Sequence, residues 1–487
     1  MRARNNISVG EIPITPRAEN YSQWYLDVIN AADLAEYGPT KGTMIIKPTG
    51  YSIWERIQKI LDDKLKNLGV QNVYFPLLIP EQLLKKEKNH VEGFSPEVAV
   101  VTYAGGAKLE ESLVVRPTSE TIIYDTFSKW IHSHRDLPLI INQWANVVRW
   151  ELRPRLFIRT TEFLWQEGHT AHSTNEEADS WARKILDLYT WFAEKVMSIP
   201  VIPGVKTDGE KFAGAMKTYC VEAMMQDGKA LQFATSHNLG QNFAKVFDIQ
   251  FTNENNVGSF VWQTSWGLST RTIGGLIMVH SDDKGLVLPP EIAPVQIVII
   301  PIWNSEKTRL AVLKEAEKLH DTLVAKYGNT SVIIDDRDIR PGPKHYYWEK
   351  HGVPVRLEIG PRDIEKKEVV SVRRDTSEKK PLKLKNITDE VGKLLEDIQQ
   401  SLYKTAVKFR DENTIEVTQW DDFVKNIESG KFIKAYWDGK NETEKKIKEE
   451  TKATIRCMPL NSDGSTMGKC VYSGTPTSLK VIFARSY

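Results

Sequence analysis

Residues 143–172 read QWANVVRWELRPRLFIRTTEFLWQEGHTAH, with charged side chains spaced through two strongly apolar runs. Side chains two positions apart on a β-strand point to the same face, which would place Arg149 and Glu151 together on one strand. An arginine held on a sheet is a rigid bidentate donor for phosphate or carboxylate. The alternative is a ladder of cross-strand salt bridges, which the pattern alone favours. The stretch therefore predicts sheet strands with either a binding site or an ion-pair ladder on one face.

The flanking sequence extends this sheet. From about residue 110 to residue 285, short β-branched and aromatic runs such as SLVVRP and SFVWQTSWGLST recur, with one long helical pattern near residues 175–197. Apolar residues from Tyr51 to Leu68 recur every three or four positions, which predicts an amphipathic helix that ends at Gly69. A mainly antiparallel sheet with helices outside it is an α+β arrangement, and that is the fold class we predict.

The pattern changes after the prolines at positions 289, 290 and 294. Strands then alternate with helices, which predicts a parallel-type α/β unit followed by a mixed segment. Strands are expected at 295–300, 331–335, 353–359 and 368–373, and helices at 305–327, 344–350, 389–410 and 442–450. The predicted domains are an N-terminal arm at 1–20, the α+β domain at 21–285, the α/β unit at 286–400 and a small α+β C-terminal domain at 401–487.

Composition and charge narrow the class of protein. Of the 487 residues, 41% are hydrophobic and 26% are charged, so disordered, collagen-like and disulfide-scaffold proteins are excluded. Lysine and arginine total 65 against 64 acidic residues, so a polyanionic partner would have to be recognised at local sites. Neither a membrane-spanning run nor a secretory leader is predicted. Three cysteines, Cys220, Cys457 and Cys470, cannot all pair, which favours a reducing, cytoplasmic location.

Three segments resemble the motifs of the class II aminoacyl-tRNA synthetases. Arg-Trp-Glu at 149–151, a basic loop and RTTEF at 159–163 resemble motif 2. Pro76 and the predicted helix before it resemble motif 1, and GLSTR at 267–271 followed by two glycines at 274–275 resembles motif 3. This resemblance favours the binding site over the salt-bridge ladder.

Longer segments are similar, nearly word for word, to prolyl-tRNA synthetases of the archaeal/eukaryotic type. They are RPTSE at 116–120, FLWQEGHTAH at 163–172, KALQFATSHNLGQNF at 229–243, TSWGLSTR at 264–271 and GLVLPP at 285–290. The resemblance implies a class II catalytic domain that uses L-proline, ATP and Mg2+ to form prolyl-adenylate and pyrophosphate, then transfers the prolyl group to the 3′ end of tRNA(Pro). In-line attack of a carboxylate on the α-phosphate needs positioning and charge cancellation more than it needs a base.

The same resemblance assigns the site residues. Arg149 and Arg271 are the expected catalytic residues, the first bridging the proline carboxylate and the α-phosphate, the second holding the γ-phosphate. The expected ATP-binding residues are Arg149, Glu151, Arg159, Thr160, Phe163, Gln232, Thr235 and Arg271, with Phe163 stacked on adenine. The expected proline-binding residues are Thr118, Glu120, Arg149, Trp165, Glu167, His169, Phe212, His237 and Ser269, with Thr118 and Glu120 at the amine. We expect neither His169 nor His237 to act as a general base.

The α/β unit at 286–400 resembles the anticodon-binding domain that the synthetases for proline, threonine, histidine and glycine share. Bases of single-stranded RNA are read by hydrogen bonding and stacking. Glu349, Arg356 and Asp363 fall where the family contacts the two guanines of the proline anticodon. The alternative for each of them is an ordinary surface charge.

The C-terminal domain resembles one that holds a structural zinc on four cysteines in many family members. Only Cys470 remains here, and Asp438, Thr443 and Ser473 stand at the other three positions. Zinc needs four well-placed ligands, so we predict a metal-free domain with no structural zinc. The terminal sequence VIFARSY also resembles the family, which implies that the carboxylate of Tyr487 lies near the active site.

Further expectations concern partners. Motif 1 implies a homodimer. The gap between residues 172 and 264 leaves no room for the editing insertion of bacterial-type enzymes. A pocket for proline cannot strongly reject smaller amino acids, because each missing methylene is worth only ~1–3 kcal/mol of binding energy. A separate trans-editing protein is therefore expected. Two alternatives stay open: a synthetase for another amino acid, and a synthetase-like RNA-binding protein without catalysis, against which the two motif arginines argue.

Overall fold

The computed structural model describes residues 13–86, 98–460 and 466–487; most of the predicted arm lies outside these ranges. Within them, no helix is both long enough and apolar enough to cross a membrane. The α-helices span Tyr21–Ala31, Pro48–Asn67, Glu81–Lys85, Glu120–Trp130, Asn175–Trp191, Asn242–Val246, Arg271–His280, Glu306–Tyr327, Pro341–Lys350, Pro361–Lys366, Ile387–Glu412, Trp420–Glu428 and Asn441–Thr451.

Helix Pro48–Asn67 shows how the sequence sets an element. Pro48 occupies the first turn, where its missing N–H costs no hydrogen bond. Apolar residues from Ile53 to Leu65 recur on one face, and that face is buried in the largest core. Each such side chain stabilises the fold by ~1.5–3 kcal/mol when fully buried. The helix ends before Gly69, whose φ is +86°, so the helix predicted at 51–68 is confirmed.

The described residues form an 11-stranded, mostly antiparallel sheet, which confirms the α+β class. Its strands, in spatial order, are Thr414–Glu416, Phe432–Tyr436, Lys480–Ala484, Thr454–Pro459, Val201–Val205, Lys217–Met224, Ala230–Gly240, Trp262–Ser269, Glu162–His172, Leu139–Val148 and Gln71–Asn72. Met458 pairs with Val205 and Pro459 with Gly204, so the C-terminal strands continue the sheet of the first domain. No pattern in the sequence predicted that continuity.

One strand prediction is wrong. The strand that carries residue 143 ends at Val148, so Arg149 and Glu151 do not share a strand face. Arg149 still lies opposite Thr161 in the register of the two strands, and its backbone N–H donates to the Thr161 carbonyl over 2.8 Å. The residues between these two positions form a loop. Phe157 adopts a positive φ of 61° inside that loop.

The α/β unit has its own five-stranded sheet and core. In spatial order the strands are Val332–Ile334, Ile297–Pro301, Val355–Ile359, Glu368–Arg373 and Lys379–Lys383. The first three strands pair in parallel, and the fourth strand pairs antiparallel with both the third and the fifth. The predicted boundary at 400/401 falls inside helix Ile387–Glu412, and we propose to place it after Glu412.

Smaller sheets complete the described fold. Their strands are Ala35–Tyr37 with Met44–Ile46, Leu78–Pro80 with Ala99–Ala104 and Ala107–Val115, Gln250–Thr252 with Gly258–Phe260, and Gly468–Lys469 with Pro476–Thr477.

Candidate active site

Two adjoining cavities lie against the central sheet. The first has a volume of about 240 Å³ and the second about 170 Å³. Arg149, Phe163, Ser269 and Arg271 line both. The first cavity is also lined by the predicted residues Thr118, Glu120, Trp165, Glu167, His169, Phe212, Gln232, Thr235 and His237. The second is also lined by the predicted residues Glu151, Arg159 and Thr160.

Every second residue of one strand builds a wall of the first cavity. Phe163, Trp165, Glu167 and His169 all line it, as side chains that alternate along a strand share a face. Gln166 lies between them on the strand, and its amide bonds to Asn142 and Tyr189. The alternating direction of side chains along this strand therefore places four site residues on the same face.

Carboxylates gather at one end of the first cavity. Glu167 accepts hydrogen bonds from Ser119 Oγ at 2.5 Å and from Gln143 Nε2 at 2.6 Å. The Thr118 hydroxyl donates to Glu120. Both carboxylates are buried, and a buried carboxylate requires hydrogen-bonding or positively charged partners. This end of the cavity can accept an ammonium group.

Two buried histidines flank the carboxylates. The Tyr124 hydroxyl lies 3.1 Å from Nδ1 of His169, and the Glu167 carboxylate lies 3.2 Å from Nε2. Nδ1 of His237 lies 3.0 Å from the Thr218 hydroxyl. Burial lowers the pKa of His237 to about 4, so this ring is uncharged at neutral pH. His169 lines the first cavity, and both of its ring nitrogens lie within hydrogen-bond distance of protein groups.

Three arginines define the other end. The Nε of Arg149 donates to the Pro117 carbonyl at 2.9 Å, and the Nε of Arg271 donates to the Ile158 carbonyl at 3.1 Å. The Nε of Arg159 donates to Glu151 Oε2 at 2.5 Å. The hydrogen bond at each Nε sets the direction of the guanidinium.

The charges at this end favour a polyanion. Burial, followed by the positive charges of Arg149 and Arg159, lowers the pKa of Arg271 to about 10. Burial alone would raise the pKa of Glu151, but the backbone N–H of Arg153 and the Arg159 guanidinium outweigh it and lower that pKa. Cations held close together in a cavity are stabilised by a ligand with several negative charges, such as a triphosphate.

Some lining residues escaped the sequence analysis. They are Trp150, Phe157, Ile158, Glu210, Thr218, Phe233, Ala234, Ser265, Trp266 and Leu268. Ser265 alternates with Gly267 and Ser269 on one strand, a signal that could have identified it. Its buried hydroxyl has no hydrogen-bond partner among the described residues. Glu210 lies in a turn outside the recognised motifs, where no pattern pointed to it.

The predicted anticodon residues are brought together only in part. Glu349 and Arg356 line a separate cavity of about 190 Å³. Arg356 is oriented by Glu358, whose Oε1 lies 2.9 Å from its Nε. Basic side chains dominate this cavity, namely Lys284, Arg356, Arg373, Arg374 and Lys379. Asp363 does not line it; its carboxylate accepts from the backbone N–H of Gly360 at 2.9 Å and caps a short helix.

Tyr487 lines neither cavity of the candidate active site. Its backbone N–H donates to the Ala230 carbonyl at 3.3 Å, two residues before Gln232. The cationic groups of Arg155 and Lys229 lie 5.1 and 4.9 Å from its ring centroid. The residue is thus fixed beside the site, and a functional role for its carboxylate stays a prediction.

The four positions compared with zinc ligands converge in the C-terminal domain. The hydroxyls of Thr443 and Ser473 each donate to Asp438 Oδ2 at 2.8 Å, and the Ser473 backbone N–H lies 3.5 Å from Cys470 Sγ. Across residues 13–86, 98–460 and 466–487, no three His, Cys, Asp or Glu side chains are grouped to hold a metal ion. Hydrogen bonds link the four positions, and the absence of zinc stays a prediction.

Comparison with known proteins gives three family matches. Residues 103–280 match the "tRNA synthetase class II core domain (G, H, P, S and T)", residues 296–394 match "Anticodon binding domain", and residues 420–487 match "Prolyl-tRNA synthetase, C-terminal".

Curated relatives match almost the whole chain. A proline–tRNA ligase of Roseiflexus sp. (strain RS-1) is 54% identical over 481 residues, covering 97% of this chain and 99% of the relative. One from Prosthecochloris aestuarii is 54% identical over 482 residues with the same coverage. Their names do not specify the archaeal/eukaryotic type, which stays a prediction. The chain therefore belongs to the prolyl-tRNA synthetase family of the class II aminoacyl-tRNA synthetases, as its sequence motifs predicted.

Proposed function

We propose that this chain is a proline–tRNA ligase that activates proline with ATP and then transfers the prolyl group to the 3′ end of tRNA(Pro). The observation that carries the proposal is the position of Arg149. Arg149 lines the first cavity, which carries the buried carboxylates at its far end. It also lines the second cavity, together with Arg159 and Arg271. An amino acid bound by its amine at the acidic end would direct its carboxylate toward the arginines.

The geometry supports activation by positioning. Thr118 and Glu120 would bind the secondary ammonium of proline, and Trp165 and Phe212 would enclose its apolar ring. Arg149 would hold the proline carboxylate against the α-phosphate and stabilise the charge that develops during in-line attack. The attacking carboxylate is already ionised at neutral pH, so this step needs no general base.

ATP would occupy both cavities. Phe163 would stack on adenine in the second, with Glu151, Arg159 and Thr160 around it, while Gln232 and Thr235 would face the ribose. Mg2+ binds mainly to phosphates and water, with few protein carboxylates. Glu151 fits as such a ligand, because it lines the second cavity and its lowered pKa keeps it ionised. When bound, the ion would neutralise phosphate charge.

The decisive experiment is ATP–pyrophosphate exchange by the purified chain with each of the amino acids, followed by charging of tRNA(Pro). Exchange that depends on proline, together with charging of tRNA(Pro), is the expected result. Exchange that depends on threonine, histidine or glycine instead would support the neighbouring synthetase alternative. A chain without exchange for any amino acid would support the non-catalytic RNA-binding alternative.

Replacing His169 by alanine tests whether the histidine is a wall or a base. We expect the KM for proline to rise roughly tenfold, from lost hydrogen bonds at the buried end of the cavity, while adenylation persists at saturating proline. Steady-state exchange at varied proline concentrations measures both quantities. Normal proline binding with complete loss of adenylation would instead assign His169 as a general base.

Arg356 is proposed to contact the anticodon. Its cavity is basic, and a guanidinium can form paired hydrogen bonds with guanine. We therefore expect Arg356→Ala to lower kcat/KM for tRNA charging by about 5- to 150-fold, as the loss of ~1–3 kcal/mol implies, with unchanged ATP–pyrophosphate exchange. Lys318→Ala, an exposed residue of the same unit, is the control. An equal loss in both assays would contradict the assignment of Arg356, and Glu349 and Asp363 can be tested in the same way.

Three remaining proposals concern assembly and location. Exposed Tyr37, Ile45 and Tyr51 lie next to or on the motif 1 helix, as a homodimer interface would require. Residues 173–263 are filled by helices and strands of the catalytic fold, which supports editing by a separate protein. The three cysteines are unpaired, in keeping with a cytoplasmic location.

A further inference from the structure

The turn at residues 206–212 lies between the first cavity and the C-terminal domain. It begins at Lys206, directly after strand Val201–Val205, and ends at Phe212. Glu210 and Phe212 line the cavity. The turn therefore has one side on the proposed proline site and another side on a different domain.

The C-terminal domain holds this turn at three places. Lys206 Nζ donates to the Arg456 carbonyl at 2.7 Å. The Thr207 hydroxyl donates to Glu444 Oε1 at 2.9 Å, and the Lys448 ammonium lies 3.0 Å from the Glu210 carboxylate. Glu444 and Lys448 are four residues apart, so they share one face of helix Asn441–Thr451.

The cavity side of the turn is equally fixed. The Phe212 backbone N–H donates to the Thr218 hydroxyl at 3.0 Å, and that hydroxyl lies 3.0 Å from His237. The Phe212 ring centroid lies 4.6 Å from that of His237. A displacement of the turn would therefore move the aromatic wall of the cavity and the hydrogen bond on His237 together.

We propose that helix Asn441–Thr451 is a positioning element of the proline pocket, and that Glu444 and Lys448 hold the turn at 206–212 in its binding geometry. This inference rests on the proposed function, since it assigns the first cavity to proline. Glu444 and Lys448 touch the turn and not the cavity, so they are positioning residues. The C-terminal domain then takes part in amino-acid recognition as well as in the fold.

Glu444 is expected to contribute more than Lys448. Glu444 is buried, and the loss of its carboxylate leaves the Thr207 hydroxyl without its partner. Lys448 is 55% exposed, and ion pairs at exposed sites contribute little. Burial and then the nearby Glu210 carboxylate raise the pKa of Glu444, while Thr207 and Lys448 oppose that rise. An uncharged glutamine is therefore a close substitute for Glu444.

The test compares Glu444→Ala, Glu444→Gln and Lys445→Ala in the full chain by ATP–pyrophosphate exchange. Glu444→Ala is expected to raise the KM for proline roughly 5- to 50-fold and to leave the KM for ATP within about twofold. Glu444→Gln keeps an acceptor for Thr207 and should restore most of the affinity. Lys445 lies on the same helix, but its side chain is 78% exposed and its Nζ lies 4.0 Å from Glu449 Oε1. Lys445→Ala should therefore have the same KM values for proline and ATP as the unaltered chain.

Two further measurements separate positioning from a loss of folding. Thermal unfolding of each variant shows whether the fold persists. Thr207→Ala combined with Glu444→Ala should raise the KM for proline no further than either change alone, because both remove one hydrogen bond. Equal increases in the KM values for proline and ATP, or additive effects of the two changes, would overturn the proposal. If the unaltered chain shows no proline-dependent exchange, the proposed function fails instead.

Discussion

Replacing Arg149 by alanine is expected to lower proline-dependent ATP–pyrophosphate exchange roughly 10³-fold, mainly through kcat. The guanidinium lies on the wall common to both cavities, with its carbon 5.5 Å from the ring centroids of Phe163 and Trp165. It is thus fixed where the proline carboxylate and the α-phosphate would meet. Arginines that stabilise the transition state of phosphoryl transfer contribute about 10³- to 10⁵-fold to the rate.

Two further variants sharpen this prediction. Arg149→Lys retains a positive charge but loses the planar, bidentate donor, so its exchange rate should lie between those of the alanine variant and the unaltered chain. Arg153 lies in the same loop, is exposed and lines neither cavity, so Arg153→Ala should change exchange less than about twofold. Exchange above a tenth of the original rate in Arg149→Ala would remove Arg149 from its proposed role.

The site residues that the sequence predicted best belong to local patterns. Side chains alternate in direction along one strand, which places Phe163, Trp165, Glu167 and His169 on the same wall of the cavity. The resemblance of segment 163–172 to the family predicted that these residues bind the substrates. Such predictions need only the backbone period and residues that are close in sequence. The predicted proline and ATP residues consequently line the two cavities, although their roles toward ligands stay predictions.

The misses depend on contacts between distant segments. The strand ends at Val148, and the chain then forms a loop that Arg149 and Thr161 close, although the apolar run itself contains no stop signal at that point. The joining of two domains into one sheet rests on pairs such as Met458 with Val205, more than 250 positions apart. The Glu210–Lys448 contact likewise brings together residues that no period or motif connects. Long-range pairing is set by the packing of the complete fold, which a linear pattern does not contain.

The second large effect concerns a buried ion cluster where the two domains meet. Glu222 is fully buried, with Lys206 Nζ at 2.7 Å and the Arg456 guanidinium at 3.0 Å from its carboxylate. Glu222 and Lys206 belong to the catalytic domain, and Arg456 belongs to the C-terminal domain. We expect Glu222→Ala to destabilise the protein by about 3–5 kcal/mol, because it leaves two cations buried without a counter-charge.

Denaturant and thermal unfolding measure this loss, with Glu449→Ala as the matched control. Glu449 carries an exposed carboxylate 4.0 Å from Lys445, so its removal should cost less than about 0.5 kcal/mol. A triple variant carries Lys206→Met, Glu222→Leu and Arg456→Met. It should be more stable than Glu222→Ala, because it removes the two buried cations as well as the carboxylate. Similar midpoints for Glu222→Ala and Glu449→Ala would show that the cluster contributes nothing to stability.

The pH dependence gives the cluster an independent signature. Burial alone would raise the pKa of Glu222, but Lys206 and Arg456 outweigh it and hold that pKa below its ordinary value. A carboxyl group with a lowered pKa contributes stability that is fully present above the unfolded pKa of about 4.3 and is lost as the pH falls through the folded value. The stability of the unaltered chain relative to the triple variant, which lacks the titrating Lys206, should therefore be equal at pH 6 and pH 8 and fall only below about pH 4.3. A relative stability that already fell between pH 8 and pH 6 would mean that Glu222 is not held ionised by its two partners.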